Sequence, residues 1–105
     1  MENKLILNLR LEVGDHRKII SLTGLILKKL KQLDVSGIKV EYFELRLRRL
    51  GQHTRDKEAY MKIDANDRTF TDTEISSRWD DAILTPCDRL KQRFLSCGKE
   101  WAATA

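Results

Sequence analysis

The sequence has very few residues of the kinds that separate domains. It contains a single proline, five glycines and no low-complexity run in 105 residues, so no stretch has the composition of a linker. No segment repeats another. A chain of this length fits one domain. Hydrophobic residues make up 41% of the chain, which is enough to form one core. We therefore expect a single domain over residues 1–98, followed by a flexible C-terminal tail over residues 99–105.

Long apolar runs and disulfide-type cysteine patterns are also missing. The apolar runs are only a few residues long, whereas a helix that crosses a bilayer needs about 20. The start, Met1-Glu2-Asn3-Lys4, lacks the basic and apolar regions of a signal peptide. The two cysteines, Cys87 and Cys97, have neither metal-type nor redox-type spacing. The sequence therefore predicts a cytoplasmic protein with reduced thiols and no membrane partner.

Groups arranged for catalysis are equally scarce. His16 and His53 are far apart, each in a polar segment without a nearby nucleophile or second metal ligand. Asp80 and Asp81 point to different sides of a predicted helix, so they do not form a paired acid–base site. The sequence has no glycine-rich phosphate loop and no zinc motif. We expect no enzyme activity, no cofactor, no metal and no small-molecule substrate.

Positive charge is concentrated in the first half of the chain. The formal net charge is +4; residues 1–50 carry eleven Lys and Arg against six Asp and Glu, whereas residues 51–105 carry nine against ten. A localised excess of cations indicates a polyanionic partner such as nucleic acid. A soluble surface that is basic without a partner explains the same charge equally well.

Hydrophobic periodicity predicts a strand and then a helix in the first third of the chain. Residues 4–10 alternate between leucines and polar residues, with Ile6 as the exception, and this is the pattern of a half-buried strand. Asp15 is a suitable N-cap for the helix that follows. From residue 16 to 33 apolar residues recur every three to four positions, which indicates an amphipathic helix. Opposite or beside its apolar stripe lie Arg17, Lys18, Lys28, Lys29 and Lys31.

Three further strands are predicted between residues 38 and 75. The first runs from Ile38 to about Leu50, with a β-bulge near Tyr42 and Phe43, because the apolar residues change parity there. The second covers residues 58–64 and the third residues 68–75, and short polar turns separate them. Consecutive strands joined in this way indicate an antiparallel meander.

A second amphipathic helix is predicted after these strands. Ser77, followed by Asp80 three residues later, has the pattern of a capping box. Pro86 lies inside the apolar stripe, and a proline in a helix interior costs about 3 kcal/mol, so we expect a kink or a short break there. Gly98 is the expected end. The order β-α-β-β-β-α predicts a two-layer α+β fold, with a four-stranded sheet and two helices on one face.

Several segments resemble the ribosome hibernation promoting factors, also known as ribosome-associated inhibitors. They are the strands at residues 58–64 and 68–74, the helix start at residues 79–83, residues 88–93 and the lysine-rich residues 28–33. The resemblance implies a factor that sits on the small ribosomal subunit, in the channel used by messenger and transfer RNA, and blocks translation in resting, stressed cells. The chain would be a short-form member. Members of the family usually continue the last helix with basic residues, whereas this chain has the uncharged Leu95-Ser96-Cys97-Gly98 at the corresponding place.

The basic faces of both helices are the predicted contacts to ribosomal RNA of the small subunit, because phosphate recognition requires long cationic side chains on a rigid scaffold. Surface ion pairs within the protein are the alternative for the second helix. The eight predicted RNA-binding residues are Arg17, Lys18, Lys28, Lys29, Lys31, Arg78, Arg89 and Arg93.

A protein-interaction module is the second hypothesis, and one form of it is a homodimer that pairs through an exposed strand edge. The arrangement of charge distinguishes the two. Convergence of Lys28, Lys31, Arg89 and Arg93 on one face favours RNA binding, whereas scattered cations and an exposed apolar strand edge favour protein contacts.

Overall fold

The computed structural model describes residues 5–51 and 55–104, the last seven of these through their backbone alone. The secondary-structure elements follow the predicted order. They are β1 (Ile6–Leu11), α1 (His16–Val35), β2 (Val40–Arg49), β3 (Lys57–Ala65), β4 (Arg68–Ser76) and α2 (Trp79–Thr104).

The four strands form one mixed sheet in the order β1-β2-β3-β4. β1 is parallel to β2, and α1 is the crossover between them; β2, β3 and β4 are the antiparallel meander that the sequence predicts. Asn66 and Asp67 connect β3 to β4 and both have positive φ. This is the geometry of a two-residue hairpin turn, in which Asn and Asp tolerate the left-handed region.

Both helices pack against one face of the sheet, as predicted, and bury a single core there. The helices lie side by side and run in the same direction, since Lys18 contacts Asp80 near their starts and Lys29 contacts Asp88 further along. The largest fully buried side chains come from the helices, β2, β3 and the connections; among them are Leu22, Ile26, Leu33, Ile38, Leu45, Leu47, Met61, Ile63, Ile83 and Leu90.

Two details of β2 differ slightly from the predicted pattern. The strand begins at Val40 rather than Ile38; Ile38 is buried, but its amide donates to the Leu33 carbonyl at 3.0 Å and so belongs to the turn after α1. The register of β2 against β3 shifts between Val40 and Tyr42, one position before the predicted bulge. The shift reconciles the two parities, because the residues after it place Phe43 in the core.

The helix starts are capped in different ways. Asp15 is the N-cap of α1, as predicted, and its carboxylate accepts from the amides of Arg17 and Lys18 at 2.9 and 3.4 Å. The capping box predicted at Ser77 is not formed among the described hydrogen bonds. Ser76 Oγ accepts from the Arg78 amide instead, at 3.2 Å, and the Asp80 carboxylate turns to Lys18 of α1. A tertiary ion pair has replaced the local cap.

α2 runs without a break through Pro86 and on to Thr104, so the short break predicted at the proline is wrong, and the kink given as its alternative stays a prediction. The Pro86 ring is fully buried, and its packing offsets the missing hydrogen bond, which costs about 3 kcal/mol. The helix also continues past Gly98, where the sequence predicted its end. A glycine inside a helix costs only about 1 kcal/mol relative to alanine. The flexibility predicted for residues 99–105 stays a prediction.

The two cysteines are free, with Cys87 buried and Cys97 half-buried. Burial raises the pKa of the Cys87 thiol to about 11, because the thiolate would be desolvated. We expect iodoacetamide at pH 8 to alkylate Cys87 about 100-fold more slowly in the folded protein than in urea, since each pKa unit is a factor of ten in thiolate. Mass spectrometry of the labelled peptides measures both rates. Equal folded and unfolded rates at Cys87 would contradict the burial.

Candidate nucleic-acid interface

A shallow groove between the C-terminal part of α1 and the middle of α2 gathers three lysines. Its volume is about 490 Å³, and its lining includes Lys28 and Lys31 of α1 and Lys91 of α2. Gln32, Val35 and Ser36 complete the wall on the side of α1. The groove thus presents long cationic side chains over a mostly apolar floor.

Helical spacing explains why these positions meet. Lys28, Lys31 and Val35 are three to four residues apart and lie on neighbouring positions of the helix surface, on the side away from the buried stripe. Lys91 follows the buried Leu90, and one residue turns the helix by about 100°, which directs Lys91 towards α1. The groove is therefore a consequence of two parallel helices packed on the same sheet.

The groove lysines have no acidic partner within the described part of the chain. None of Lys28, Lys31 and Lys91 takes part in an ion pair or a side-chain hydrogen bond there, and the exposed Arg17 at the start of α1 has no ion pair either. Asp34, which follows Lys31 on α1, is paired with Lys39 at 3.1 Å. The positive charge of the groove is uncompensated and available to an anion.

Lys18 and Lys29, also predicted as RNA contacts, instead join the helices. Lys18 Nζ donates to Asp80 Oδ1 at 2.6 Å, and this hydrogen bond lowers the pKa of the Asp80 carboxyl below its usual range. Lys29 Nζ lies 3.8 Å from Asp88 Oδ1. Both lysines are half-buried between α1 and α2, so their charge is largely neutralised by the second helix.

Arg78, Arg89 and Arg93 lie on the other flank of α2, beside β4. Arg89 contacts Asp72 at 2.6 Å and Glu74 at 3.5 Å. Arg93 lies over the Phe70 ring, 4.2 Å from its centroid, while Arg78 is exposed and 3.9 Å from Asp81. These arginines do not converge with Lys28 and Lys31, because α2 separates the two sets. By the criterion of charge arrangement, the separated arginines favour protein contacts, and only the lysine groove supports RNA binding.

Sequence reasoning thus identified part of the groove and missed part of it. The structure brings Lys28 and Lys31 together and adds Lys91, which the sequence did not single out. Lys91 directly follows Leu90 of the apolar stripe, and this position places it on a flank of α2. The sequence does not say which flank of α2 faces α1, so it could not assign Lys91 to the groove. The ion pair between Arg89 and Asp72 could not be predicted for the same reason, because it depends on which flank of α2 faces β4.

The open face of the sheet is polar, but its aromatic rings are already covered. Arg46 lies 4.5 Å from the Tyr60 centroid and Lys62 lies 5.7 Å from that of Tyr42. Tyr42 also donates to Glu44 at 2.7 Å, and this hydrogen bond, with the nearby Arg46, lowers the pKa of the Glu44 carboxyl. Since these cations and rings satisfy one another, the helix groove is the better candidate for a nucleic-acid contact.

A metal-binding cluster and a membrane-spanning helix are absent from the parts of the chain that the structure describes. Over residues 5–51 and 55–97, no group of three or more His, Cys, Asp or Glu side chains is placed to hold a metal ion. Neither α1 nor α2, as far as they are described, is long and apolar enough to span a bilayer.

Comparison with known proteins gives one line of evidence, at the level of the fold. No family model matches the sequence, and no curated protein matches it either. Among solved structures, the chain is similar to the N-terminal domain of Protein Y from Thermus thermophilus, with a TM-score of 0.62, 21% sequence identity, and coverage of 89% of this chain and 94% of that one. The chain therefore has the α+β fold of the Protein Y N-terminal domain.

Proposed function

We propose that this protein is a cytoplasmic, hibernation-type translation regulator that binds ribosomal RNA of the small subunit through the groove between α1 and α2. The observation that carries the proposal is the group of three lysines without acidic partners, Lys28, Lys31 and Lys91. The fold supports it, since the chain is similar to the N-terminal domain of Protein Y, and so do the segments of the sequence that resemble the hibernation factors. The proposal assigns the protein no catalytic activity.

Phosphate binding is the chemistry that such a groove can perform. Lysine ammonium groups on two packed helices keep a fixed spacing, and an RNA backbone lying along the groove would place successive phosphates within their reach. Each neutralised phosphate releases condensed counterions, which drives binding and makes it salt-dependent. Arg17, further along the exposed side of α1, extends the contact towards the start of the helix.

The remaining predicted residues have a supporting role in this proposal. Lys18 and Lys29 hold α1 and α2 at the distance that forms the groove. Arg89 and Arg93 fix α2 to β4. The uncharged residues 95–97 leave Lys91 as the last described cation on the side of α2 that faces α1. We therefore expect few phosphate contacts and a shallow salt dependence.

Co-sedimentation with purified small ribosomal subunits tests the proposal. At low salt we expect one protein to bind per small subunit. Between about 50 and 200 mM salt, the logarithm of the association constant should fall with the logarithm of the salt concentration, with a slope of about 2 to 3. Each phosphate contact contributes roughly 0.7–0.9 to this slope. Purified large subunits are the control. No binding at the lowest salt, or equal binding to large subunits, would contradict a specific small-subunit factor.

A further inference from the structure

Exposed apolar side chains are concentrated at one edge of the molecule. Among the described residues, seven large hydrophobic side chains are exposed, and five of them lie on β1, just before it, or on the adjacent flank of α1. They are between 41% and 63% exposed. These five, the β1–α1 surface, are Leu5, Ile6, Leu7, Ile20 and Leu27. Ile6 lies beside Tyr42 on the open face of the sheet, whereas Leu5 lines a cleft with Leu27 on the helix side, so exposed apolar side chains flank the β1 edge on both faces. Such a concentration on a small domain indicates an interaction site.

The two edge strands of the sheet, β1 and β4, differ in how well their outer backbone groups are covered. At β4, the carbonyl oxygens of Thr71 and Thr73 accept from Arg93 and Arg89 at 3.3 and 3.2 Å, so side chains of α2 occupy that edge. β1 pairs only with β2. No described side chain donates to its outer carbonyls, and its strand residues include a single charge, Arg10. Protein edges are normally protected by charge, proline or a covering element, and within the described residues β1 has little such protection.

We propose that the β1–α1 surface binds a second copy of this chain, so that two β1 strands pair antiparallel about a two-fold axis and join two sheets into one. The amide of Glu12, just after β1, donates to the Leu47 carbonyl at 2.9 Å. Because backbone groups alternate in direction along a strand, the odd-numbered residues of β1 direct their amides and carbonyls outwards. Antiparallel pairing centred on Asn8 then joins Leu7 of each copy to Leu9 of the other, which is a hydrogen-bonded pair.

The position of α1 selects this register. Leu5 shares a cleft with four residues of α1, Leu27, Leu30, Lys31 and Asp34, so Leu5 is level with about Leu30. Three strand residues and seven helix residues each span about 10 Å, and α1 runs opposite to β1. Asn8 is therefore level with the midpoint between Ile20 and Leu27. The axis that passes through Asn8 thus brings Ile20 of one copy opposite Leu27 of the other.

Charge complementarity also favours a second copy as the occupant. In the same arrangement Lys31 of each α1 comes level with Asp15 at the start of the partner's α1, so opposite charges meet at both ends of the helix contact. Pairing about Asn8 places each Arg10 opposite Ile6 and keeps the two arginines apart. The surface is thus complementary to itself in backbone, apolar and charged groups, as a two-fold interface requires.

The dimer leaves most of the RNA groove open. Lys28 of α1 and Lys91 of α2 line the groove but not the cleft beside β1, and of the described residues only Lys31 lines both. The inference is independent of the proposed function, since dimer formation and ribosome binding are measured separately.

Sedimentation equilibrium over a concentration series tests the proposal. We expect the apparent mass to rise from the 12.3 kDa of one chain towards twice that value at up to roughly 1 mM protein. The double substitution Ile20→Lys and Leu27→Lys changes two exposed helix positions, so the fold is kept, and should weaken dimerisation at least about tenfold by like-charge repulsion across the axis. Leu7→Pro removes an outward amide of β1 and should have the same effect.

The matched control is Val35→Lys with Ile75→Lys, which replaces the two exposed apolar residues outside the β1–α1 surface. It should dimerise like the unmodified chain. Circular dichroism checks that all variants remain folded. A protein that stays monomeric at the highest concentration, or an Ile20→Lys/Leu27→Lys variant that dimerises as tightly as the parent, would overturn the proposal.

Discussion

Replacing Lys28, Lys31 and Lys91 together by alanine is expected to lower the affinity for small ribosomal subunits about 100-fold at physiological salt. Each lysine that contacts phosphate contributes on the order of 1 kcal/mol, and 1.4 kcal/mol corresponds to a factor of ten. The salt slope should fall by about two units, because three counterion-releasing contacts are lost. Co-sedimentation across a salt series measures both quantities.

A second triple variant separates the groove from overall charge. Lys39, Arg48 and Arg55 are exposed cations outside the groove, and replacing all three by alanine lowers the net charge by the same amount. We expect this control to bind within a factor of about three of the unmodified protein. If both triple variants lose affinity equally, binding depends on net charge rather than on the groove, and the proposed interface is wrong.

Replacing Leu90 by alanine is expected to destabilise the protein by about 3 kcal/mol. Leu90 is fully buried in the centre of α2 and belongs to the core cluster shared with the sheet. Its truncation removes apolar contacts and leaves a cavity, which costs about 2–5 kcal/mol in comparable cores. For a domain of this size the melting temperature should fall by roughly 12–20 °C. Urea and thermal unfolding followed by circular dichroism measure the change.

Val35 provides the comparison for this core substitution. It is the most exposed of the large hydrophobic residues described, at the end of α1, and its replacement by alanine should change stability by less than about 0.5 kcal/mol. A loss at Leu90 no larger than the loss at Val35 would mean that α2 is not packed on the sheet as the structure describes. Both triple variants, the groove variant and its control, should unfold like the parent, since the replaced side chains are exposed or half-buried.

Most of the secondary structure was predictable because its signals are local. The alternation before Gly14, the helical stripe from Ile19 to Leu33 and the Asn66-Asp67 turn each depend on neighbouring residues, and each appears where the sequence places it. α2 shows where local reasoning fails. Pro86 and Gly98 both predict an interruption, yet the helix continues through them, because contacts with the sheet outweigh costs of about 1–3 kcal/mol.

The candidate site was predictable only in part, for a different physical reason. Lys28 and Lys31 share a face of one helix, so the sequence could place them together. Lys18 and Lys29 have the same basic character, but their charge is neutralised by Asp80 and Asp88, more than fifty residues away in sequence. Whether a cation is free depends on the tertiary neighbours of its side chain, and a pattern within one helix does not contain that information.

The parallel pairing of β1 with β2 has a consequence for the order in which the protein folds. Ile6 lies opposite Tyr42, so during synthesis β1 is without this partner until α1 and much of β2 have been made. The meander strands meet their neighbours across short connections and can form hairpins early. Closing the long β1–β2 connection is the least local step, so it should come late and slow folding. Until then, the leucines of β1 remain exposed on a nascent chain.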